Sequence, residues 1–231
     1  MTIKRYLLLG AGDLAREVGK ILEVNAADTG AICELAVFSN SDSIAPQFTR
    51  YCLNPRQAVA EFPPSAWEAI GCVGSPAVRE SMYTQFRLLG YRFATACHSQ
   101  ATIFAEQVSP GCIVFPGARL AIGVRLAEDV IVNFNATVGH DCVIGAHTCI
   151  SPGVQLGGRI RTGKRVLFGI SATVIQGRRI DDDAVIAAGS AVWTDVAAGS
   201  TMIGVPAVVR KVPGSKSLAA VVGSESSALC K

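Results

Sequence analysis

Residues 138–156 read VGHDCVIGAHTCISPGVQL, and this stretch decides the fold. An aliphatic side chain occupies every sixth position of it, at Val138, Ile144, Ile150 and Leu156. Outside the stretch, the same register continues without a slip from Val108 to Val196. A period of six matches neither the 3.6-residue period of a helix nor the two-residue period of a long strand, and it indicates stacked short strands.

Two inward positions recur in each repeat. Of the fifteen aliphatic positions from Val108 to Val192, fourteen are apolar and Thr162 is the exception. The position four residues after each of them is small or β-branched, except at Arg178. The aliphatic side chains are predicted to fill the axis of the structure, and the small ones to let the chain turn a corner.

This pattern resembles the hexapeptide repeat of acyltransferases that fold as a left-handed parallel β-helix. In that family three hexapeptides make one triangular coil, so fifteen repeats predict about five coils, with a height of roughly 24 Å at about 4.8 Å per strand. Eighteen residues per coil also imply that residue n lies directly beneath residue n+18.

The first hundred residues alternate between short apolar runs and helical patterns, which predicts a small parallel, Rossmann-like α/β sheet. The predicted strands cover residues 5–9, 32–38, 67–73 and 91–96, and the longer predicted helix covers 76–89. We therefore expect an α/β domain over residues 1–100, the β-helix over 101–210 and a loose tail over 211–231.

A glycine turn, Gly10-Ala11-Gly12-Asp13, joins the first predicted strand to the first predicted helix. Such a turn either places a helix N-terminus against a phosphate or simply makes a tight connection. The dinucleotide interpretation needs an acid after the second strand, and only Asp42 could serve. A site for one nucleotide half, such as the diphosphate of a sugar nucleotide, suits the length of this domain better.

Composition excludes several classes of protein. Half of the residues are hydrophobic and 17% are charged, so the chain can bury a sizeable core. A net charge of +3, without a dense basic run, argues against a nucleic-acid partner. The eight cysteines form no CxxC pair, which argues against a thiolate zinc site. The apolar run at 6–9 is too short to span a membrane, and we expect a cytoplasmic location.

The segment His140-Asp141-Cys142-Val143-Ile144-Gly145, together with the two-domain order, resembles the NeuD/PglD family of sugar O- or N-acetyltransferases. The resemblance covers residues 4–211 and implies an acetyl-CoA-dependent enzyme in which His140 is the general base and Asp141 orients it. The coil spacing places Gly158 above His140, where its N–H could hold an oxyanion. It also places Arg159 above Asp141, where an ion pair is expected.

The resemblance implies further contacts. Gly204 and Pro206 match the segment near the adenine end of CoA, and the same segment could instead be a turn that ends the β-helix. Cys149 stands where the family often has a histidine lining the acetyl pocket, although a structural thiol suits it better. A nucleotide-sugar pocket would use Gly10, Gly12, Asp13, Asp42, Gly74 and Arg79. Asp13-Leu14 replaces the Gly-His typical of the family at the first turn.

Several alternatives stay open at this point. The same base would serve amino-sugar N-acetylation within surface-glycan biosynthesis and sugar O-acetylation equally well. A zinc enzyme resembling γ-class carbonic anhydrases needs three converging imidazoles. His140 and His147 are seven residues apart and His98 precedes the repeat, so no metal is expected. A third class of function is a non-catalytic scaffold that forms a trimer and binds a ligand through its first domain. The family resemblance implies a homotrimer, and His147 is expected to face solvent.

Overall fold

The computed structural model describes residues 2–40 and 44–210; the expected contact of Asp42 and the tail at 211–231 lie outside these residues. The N-terminal sheet is parallel, with strand order β3-β2-β1-β4. Its strands are β1 (Ile3–Leu9), β2 (Ile32–Phe38), β3 (Tyr51–Cys52) and β4 (Glu68–Gly71). The helices are α1 (Asp13–Asp28), α2 (Pro55–Glu61) and α3 (Pro76–Leu88). The sequence patterns predicted all of these except β3 and α2, which are too short to show a period.

Nineteen further strands are formed by the rest of the described chain. Most are two residues long: β5 (Ala96–Cys97), β6 (Thr102–Ile103), β7 (Gln107–Val108), β8 (Ile113–Val114), β9 (Arg119–Leu120), β10 (Arg125–Leu126), β11 (Ile131–Val132), β12 (Thr137–Val138), β13 (Val143–Ile144), β14 (Cys149–Ile150), β15 (Gln155–Leu156), β16 (Arg161–Thr162), β17 (Leu167–Phe168), β18 (Thr173–Val174), β19 (Arg179–Ile180), β20 (Val185–Ile186), β21 (Ala191–Val192), β22 (Thr201–Gly204) and β23 (Ala207–Val209).

These strands form three sheets, which are the three faces of the β-helix. Face I has the order β19-β16-β13-β10-β7, face II runs from β23 through β22 and β20 to β5, and face III runs from β21 to β6. From β7 to β21 neighbouring strands on a face are eighteen residues apart, except where β6 and β5 join the first coil, and Val138 opposite Leu156 is an example. The predicted left-handed β-helix and its coil length are confirmed.

The fourth strand expected at 91–96 does not join the N-terminal sheet as a strand. Phe93 makes a single bridge to Ala69, while Ala96–Cys97 pairs with β8 on face II. The β-helix therefore begins before residue 101, because the connecting segment is already paired with its first coil.

The axis of the β-helix is filled as the period of six predicts. Leu120, Val138 and Leu156 are at most 3% exposed, and the same holds for the aliphatic positions of the other inner coils. At the exception, Thr162, the side-chain hydroxyl accepts the N–H of Gly145 at 2.8 Å. At this position the N–H of Gly145 therefore bonds to the side chain of Thr162, where other coils use a backbone carbonyl as the acceptor.

One residue of each repeat adopts left-handed backbone geometry at a corner. From 111 to 189 every sixth residue has a positive φ: Gly111, Gly117, Gly123, Asp129, Asn135, Asp141, His147, Gly153, Arg159, Arg165, Ser171, Gly177, Asp183 and Gly189. Glycine, asparagine and aspartate accept this geometry most readily. The six-residue period of the sequence is therefore also a period in the backbone φ angles.

The N-terminal domain packs on face II. Its helix α1 contributes Val18 and Leu22 to a cluster that contains Ile113, Ile131 and Leu167 of face II. Among the described residues, faces I and III are the sides that the N-terminal domain leaves uncovered. No helix in the described part of the chain is long and apolar enough to cross a membrane.

Candidate active site

His140 lies at the corner that joins face III to face I, two residues after β12. Its Nδ1 is 2.8 Å from Oδ2 of Asp141, and the two side chains are 48% and 60% exposed. A carboxylate only accepts hydrogen bonds, so Nδ1 carries a proton, and in the neutral imidazole Nε2 is the nitrogen with the lone pair. The pair thus has the tautomer and the access that a general base requires.

Gly158 lies one coil beyond His140, as the spacing of eighteen predicted. A Cβ atom on Gly158 would be 2.5 Å from Nε2 of His140, so only glycine leaves room for the imidazole in this position. Within the described residues the N–H of Gly158 has no hydrogen-bond acceptor. A free donor and a basic nitrogen therefore lie side by side on neighbouring coils.

Two more glycines bring these coils together. A Cβ on Gly139 would be 2.7 Å from the nitrogen of Gly158, and a Cβ on Gly157 would be 2.6 Å from the nitrogen of Gln176. Neither Gly139 nor Gly157 is among the site residues expected from the sequence. The two glycines are eighteen residues apart and directly precede His140 and Gly158, which stack on each other in one column. This spacing is the signal that could have found them.

The ion pair expected between Asp141 and Arg159 is absent from the described structure. The carboxylate of Asp141 is engaged by His140 on its own coil. Arg159 is exposed, and its N–H donates to the carbonyl of His140 at 2.7 Å. The prediction was wrong because stacking of backbones does not oblige the side chains above them to meet.

His147 does not face solvent as expected. It is 5% exposed, its Nδ1 is 2.8 Å from Oδ2 of Asp129, and its ring meets Tyr83 edge-on at 5.4 Å. The position is outward in the repeat, but helix α3 covers that corner. Burial here is decided by the packing of the two domains, which the repeat does not encode.

Arg79, expected to contact substrate, is instead a structural residue. Its side chain is 0% exposed, and its Nε donates to Oδ2 of Asp129 at 2.9 Å. The remaining donors reach the carbonyl oxygens of Val73 at 2.9 Å and His147 at 2.6 Å. The guanidinium joins α3 to the β-helix and is buried away from solvent.

Cys149 lies on face II under the N-terminal domain, in the same cluster as Ile131 and Leu167. It is 7% exposed, and burial raises the pKa of its thiol. His140 stands at the corner between faces III and I, and not on face II. The contact with an acetyl group that the resemblance implied for Cys149 is therefore wrong, and the thiol is structural.

Gly204 and Pro206 belong to the hairpin of β22 and β23, which covers the last coil on face II. Gly204 has a φ of 105°, and its N–H donates to the hydroxyl of Ser190 at 3.1 Å. Val205 between them is 69% exposed. The segment does end the β-helix, and its contact with CoA stays a prediction.

The glycine turns of the N-terminal domain lie at the carboxyl ends of β1 and β4, which are neighbours in the sheet. A Cβ on Gly10 would be 2.5 Å from the carbonyl oxygen of Cys72, so the close approach of these two connections needs glycine. Gly12 and Gly74 have open space beside them. Asp13 is exposed and pairs with Arg16 at 2.9 Å. This edge is where open α/β sheets bind ligands, and the nucleotide-sugar contacts remain a prediction.

In the part of the chain that the structure describes, no group of three or more His, Cys, Asp or Glu side chains could hold a metal ion.

Sequence comparisons agree with this architecture. The family model for the hexapeptide repeat of succinyl-transferase matches residues 135–161 and 159–193. A serine acetyltransferase of Helicobacter pylori is 31% identical over 132 residues, which are 51% of this chain and 75% of that protein. A serine acetyltransferase of Synechococcus elongatus is 29% identical, and the match spans 61% of its length. The chain belongs to the hexapeptide-repeat acyltransferases.

Solved structures extend the likeness to both domains. The acetyltransferase domain of PglB from Neisseria gonorrhoeae is 26% identical, with a TM-score of 0.79 over 90% of this chain and 100% of that one. PerB from Caulobacter crescentus, solved with CoA and GDP-perosamine, shares the fold at 22% identity and a TM-score of 0.79. Within its family the chain therefore has the NeuD/PglD-like two-domain architecture.

Proposed function

We propose that this protein is an acetyl-CoA-dependent N-acetyltransferase of an amino sugar that is linked to a nucleotide and destined for a surface glycan. The observation that carries the proposal is the Asp141–His140–Gly158 arrangement. It places Nε2 of the exposed His140 beside the free backbone N–H of Gly158, which is buried next to the imidazole. Support for the substrates comes from the PglB domain, which has been solved with acetyl-CoA, and from PerB, whose fold is shared.

The arrangement accounts for direct acyl transfer. Nε2 of His140 removes a proton from the acceptor amine as its nitrogen attacks the thioester carbonyl. Charge on the carbonyl oxygen is stabilised by the N–H of Gly158. The tetrahedral intermediate then collapses, the C–S bond breaks and CoA leaves as a thiolate. The proton from the amine stays on His140. Asp141 orients the imidazole and stabilises its charged form.

A homotrimer is part of the proposal. In the column of His140, the residues one and two coils before it are Ile122 and Phe104, which are 74% and 70% exposed. The neighbouring column at the same corner carries Ile175 and Trp193, which are 37% and 51% exposed. Apolar side chains above and below a polar site suit a groove that a second copy completes. An active monomer in analytical ultracentrifugation would contradict this part.

The function is tested by thiol release from acetyl-CoA with a panel of UDP-, dTDP- and GDP-linked amino sugars and hydroxy sugars. We expect turnover with an amino sugar, and a loss of about 10² or more in kcat for His140→Ala. Turnover only with hydroxy sugars would favour O-acetylation. Turnover that survives in His140→Ala would contradict the assigned base, and a wild type that does not bind acetyl-CoA would leave only a scaffold.

Asp141→Asn is the matched variant that tests the role of the Asp141 carboxylate beside His140. Asparagine accepts the positive φ of 59° at this position, so the corner should keep its shape. A neutral amide cannot stabilise the charged imidazole, so we expect kcat to fall about 10²-fold or more. Unchanged thermal unfolding would show that the loss is chemical. Full activity of Asp141→Asn would remove Asp141 from the mechanism.

A further inference from the structure

Face I carries a line of arginines that approaches the candidate active site. Arg125, Val143, Arg161 and Arg179 occupy the same outward position on successive strands. Arg161 and Arg179 are direct partners in register, on neighbouring parallel strands. Like charges placed opposite each other on a sheet are destabilising. The arrangement therefore has an electrostatic cost that the packing of the chain does not explain.

The arginines differ in how they are neutralised. Arg125 is held by both carboxylate oxygens of Glu106, at 3.0 and 2.7 Å. Arg179 pairs with Asp181 at 2.8 Å. Arg161 is exposed and has no carboxylate partner among the described residues. The positive charge is thus least compensated on the coil directly beyond His140.

Arg159 adds a second uncompensated charge on that coil. It follows Gly158 directly, is exposed, and has a positive φ of 58°. Arg165, at the next corner, has nearly the same φ of 56°, and its side chain is bound by Glu80 and Asp183. Arg159 adopts the same unfavourable geometry without an ion pair in the described chain.

We infer that Arg159 and Arg161, with Arg179 above them, bind a phosphate group of one of the two substrates beside His140. The inference rests on the proposed function. Guanidinium groups are permanently charged and present paired N–H donors that match phosphate oxygens. A bound dianion would neutralise Arg159 and Arg161 and relieve the repulsion between Arg161 and Arg179. The phosphate belongs either to CoA or to the nucleotide of the acceptor.

The test is isothermal titration of the full chain with CoA, 3′-dephospho-CoA, UDP and GDP. The variants are Arg159→Gln and Arg161→Gln, and the control is Arg125→Gln, which has the same outward position but an intramolecular partner. We expect the Kd of one probe to rise about tenfold in each test variant and to stay within about twofold in the control. Arg161→Lys should recover part of the affinity, and neither test variant should unfold at a lower temperature than the wild type.

The four probes distinguish whether the phosphate belongs to CoA or to the nucleotide of the acceptor. A loss with CoA that is absent with 3′-dephospho-CoA assigns the 3′-phosphate, and a loss with both assigns the diphosphate of CoA. A loss with UDP or GDP assigns the acceptor. If the wild type binds CoA or a nucleotide and both test variants bind equally well, the phosphate site is wrong and the proposed function stands. If the wild type binds no probe, both fail.

Discussion

At the scale of the residue, the site depends on what is missing as much as on what is present. Gly158 has no side chain, so the imidazole of His140 can lie over it while Nδ1 stays on Asp141. The sequence predicted this juxtaposition from a spacing of eighteen. It did not predict the environment of His147, because the repeat gives the direction of a side chain and not what covers it.

Gly158→Ala should abolish most of the activity without unfolding the protein. The new Cβ would meet the imidazole, which is half exposed and can swing toward solvent at little cost in stability. Displacement from Asp141 should lower kcat by about 10². The measurement is kcat together with thermal unfolding.

A double-mutant cycle supplies the control for this substitution. In a His140→Ala background, Gly158→Ala should have little further effect on kcat, because the group it displaces is already absent. A full additional loss in the double variant would mean that the alanine acts by another route, such as a shift of the neighbouring coil.

At the scale of the element, the two-residue strands are stable only as members of a stack. Each strand of the inner coils pairs with the strands eighteen residues before and after it, and its inward side chain joins the axis. The exception at Thr162 shows how a local break in the ladder is repaired, since its hydroxyl accepts the N–H of Gly145. The period predicted the strands, but only the hydrogen-bond partner explains the threonine.

Thr162→Val should lower stability by about 1 kcal/mol, because the N–H of Gly145 loses its acceptor in a partly buried position. Valine keeps the shape of threonine, so packing is conserved. Equilibrium denaturation in urea measures the change. Thr162→Ser keeps a hydroxyl and should lose less stability than Thr162→Val; the reverse order would show that the methyl group, and not the hydrogen bond, is important here.

At the scale of the whole molecule, a buried ion pair joins the two domains. Arg79 of α3 and Asp129 of the β-helix are both 0% exposed, and His147 shares the same carboxylate oxygen. Buried pairs of this kind contribute little net stability while intact, but removal of one partner is costly. The pair therefore fixes the position of the N-terminal domain on face II.

Arg79→Met should lower the free energy of unfolding by about 3–5 kcal/mol, because the charge of Asp129 would be left buried without its partner. Chemical denaturation followed by tryptophan fluorescence reports the loss. In Arg79→Met/Asp129→Asn the unpaired carboxylate charge is removed as well, and asparagine accepts the positive φ of 58°, so stability should partly recover. A double variant no more stable than Arg79→Met would contradict the electrostatic explanation.

The sequence by itself determined the β-helix, its coil length, the column of His140 and Gly158, and most of the N-terminal sheet. These follow from periodic burial and backbone geometry, which are local and repeat along the chain. Tertiary structure alone decided that Arg79, His147 and Cys149 are covered, that Asp141 turns to His140 and not to Arg159, and that Arg159 and Arg161 stay unpaired. The burial of Arg79, His147 and Cys149 depends on which surfaces meet when the N-terminal domain packs on face II. The pairing of Asp141 and the unpaired state of Arg159 and Arg161 depend on side-chain geometry at the surface of the β-helix, and neither kind of contact leaves a period in the sequence.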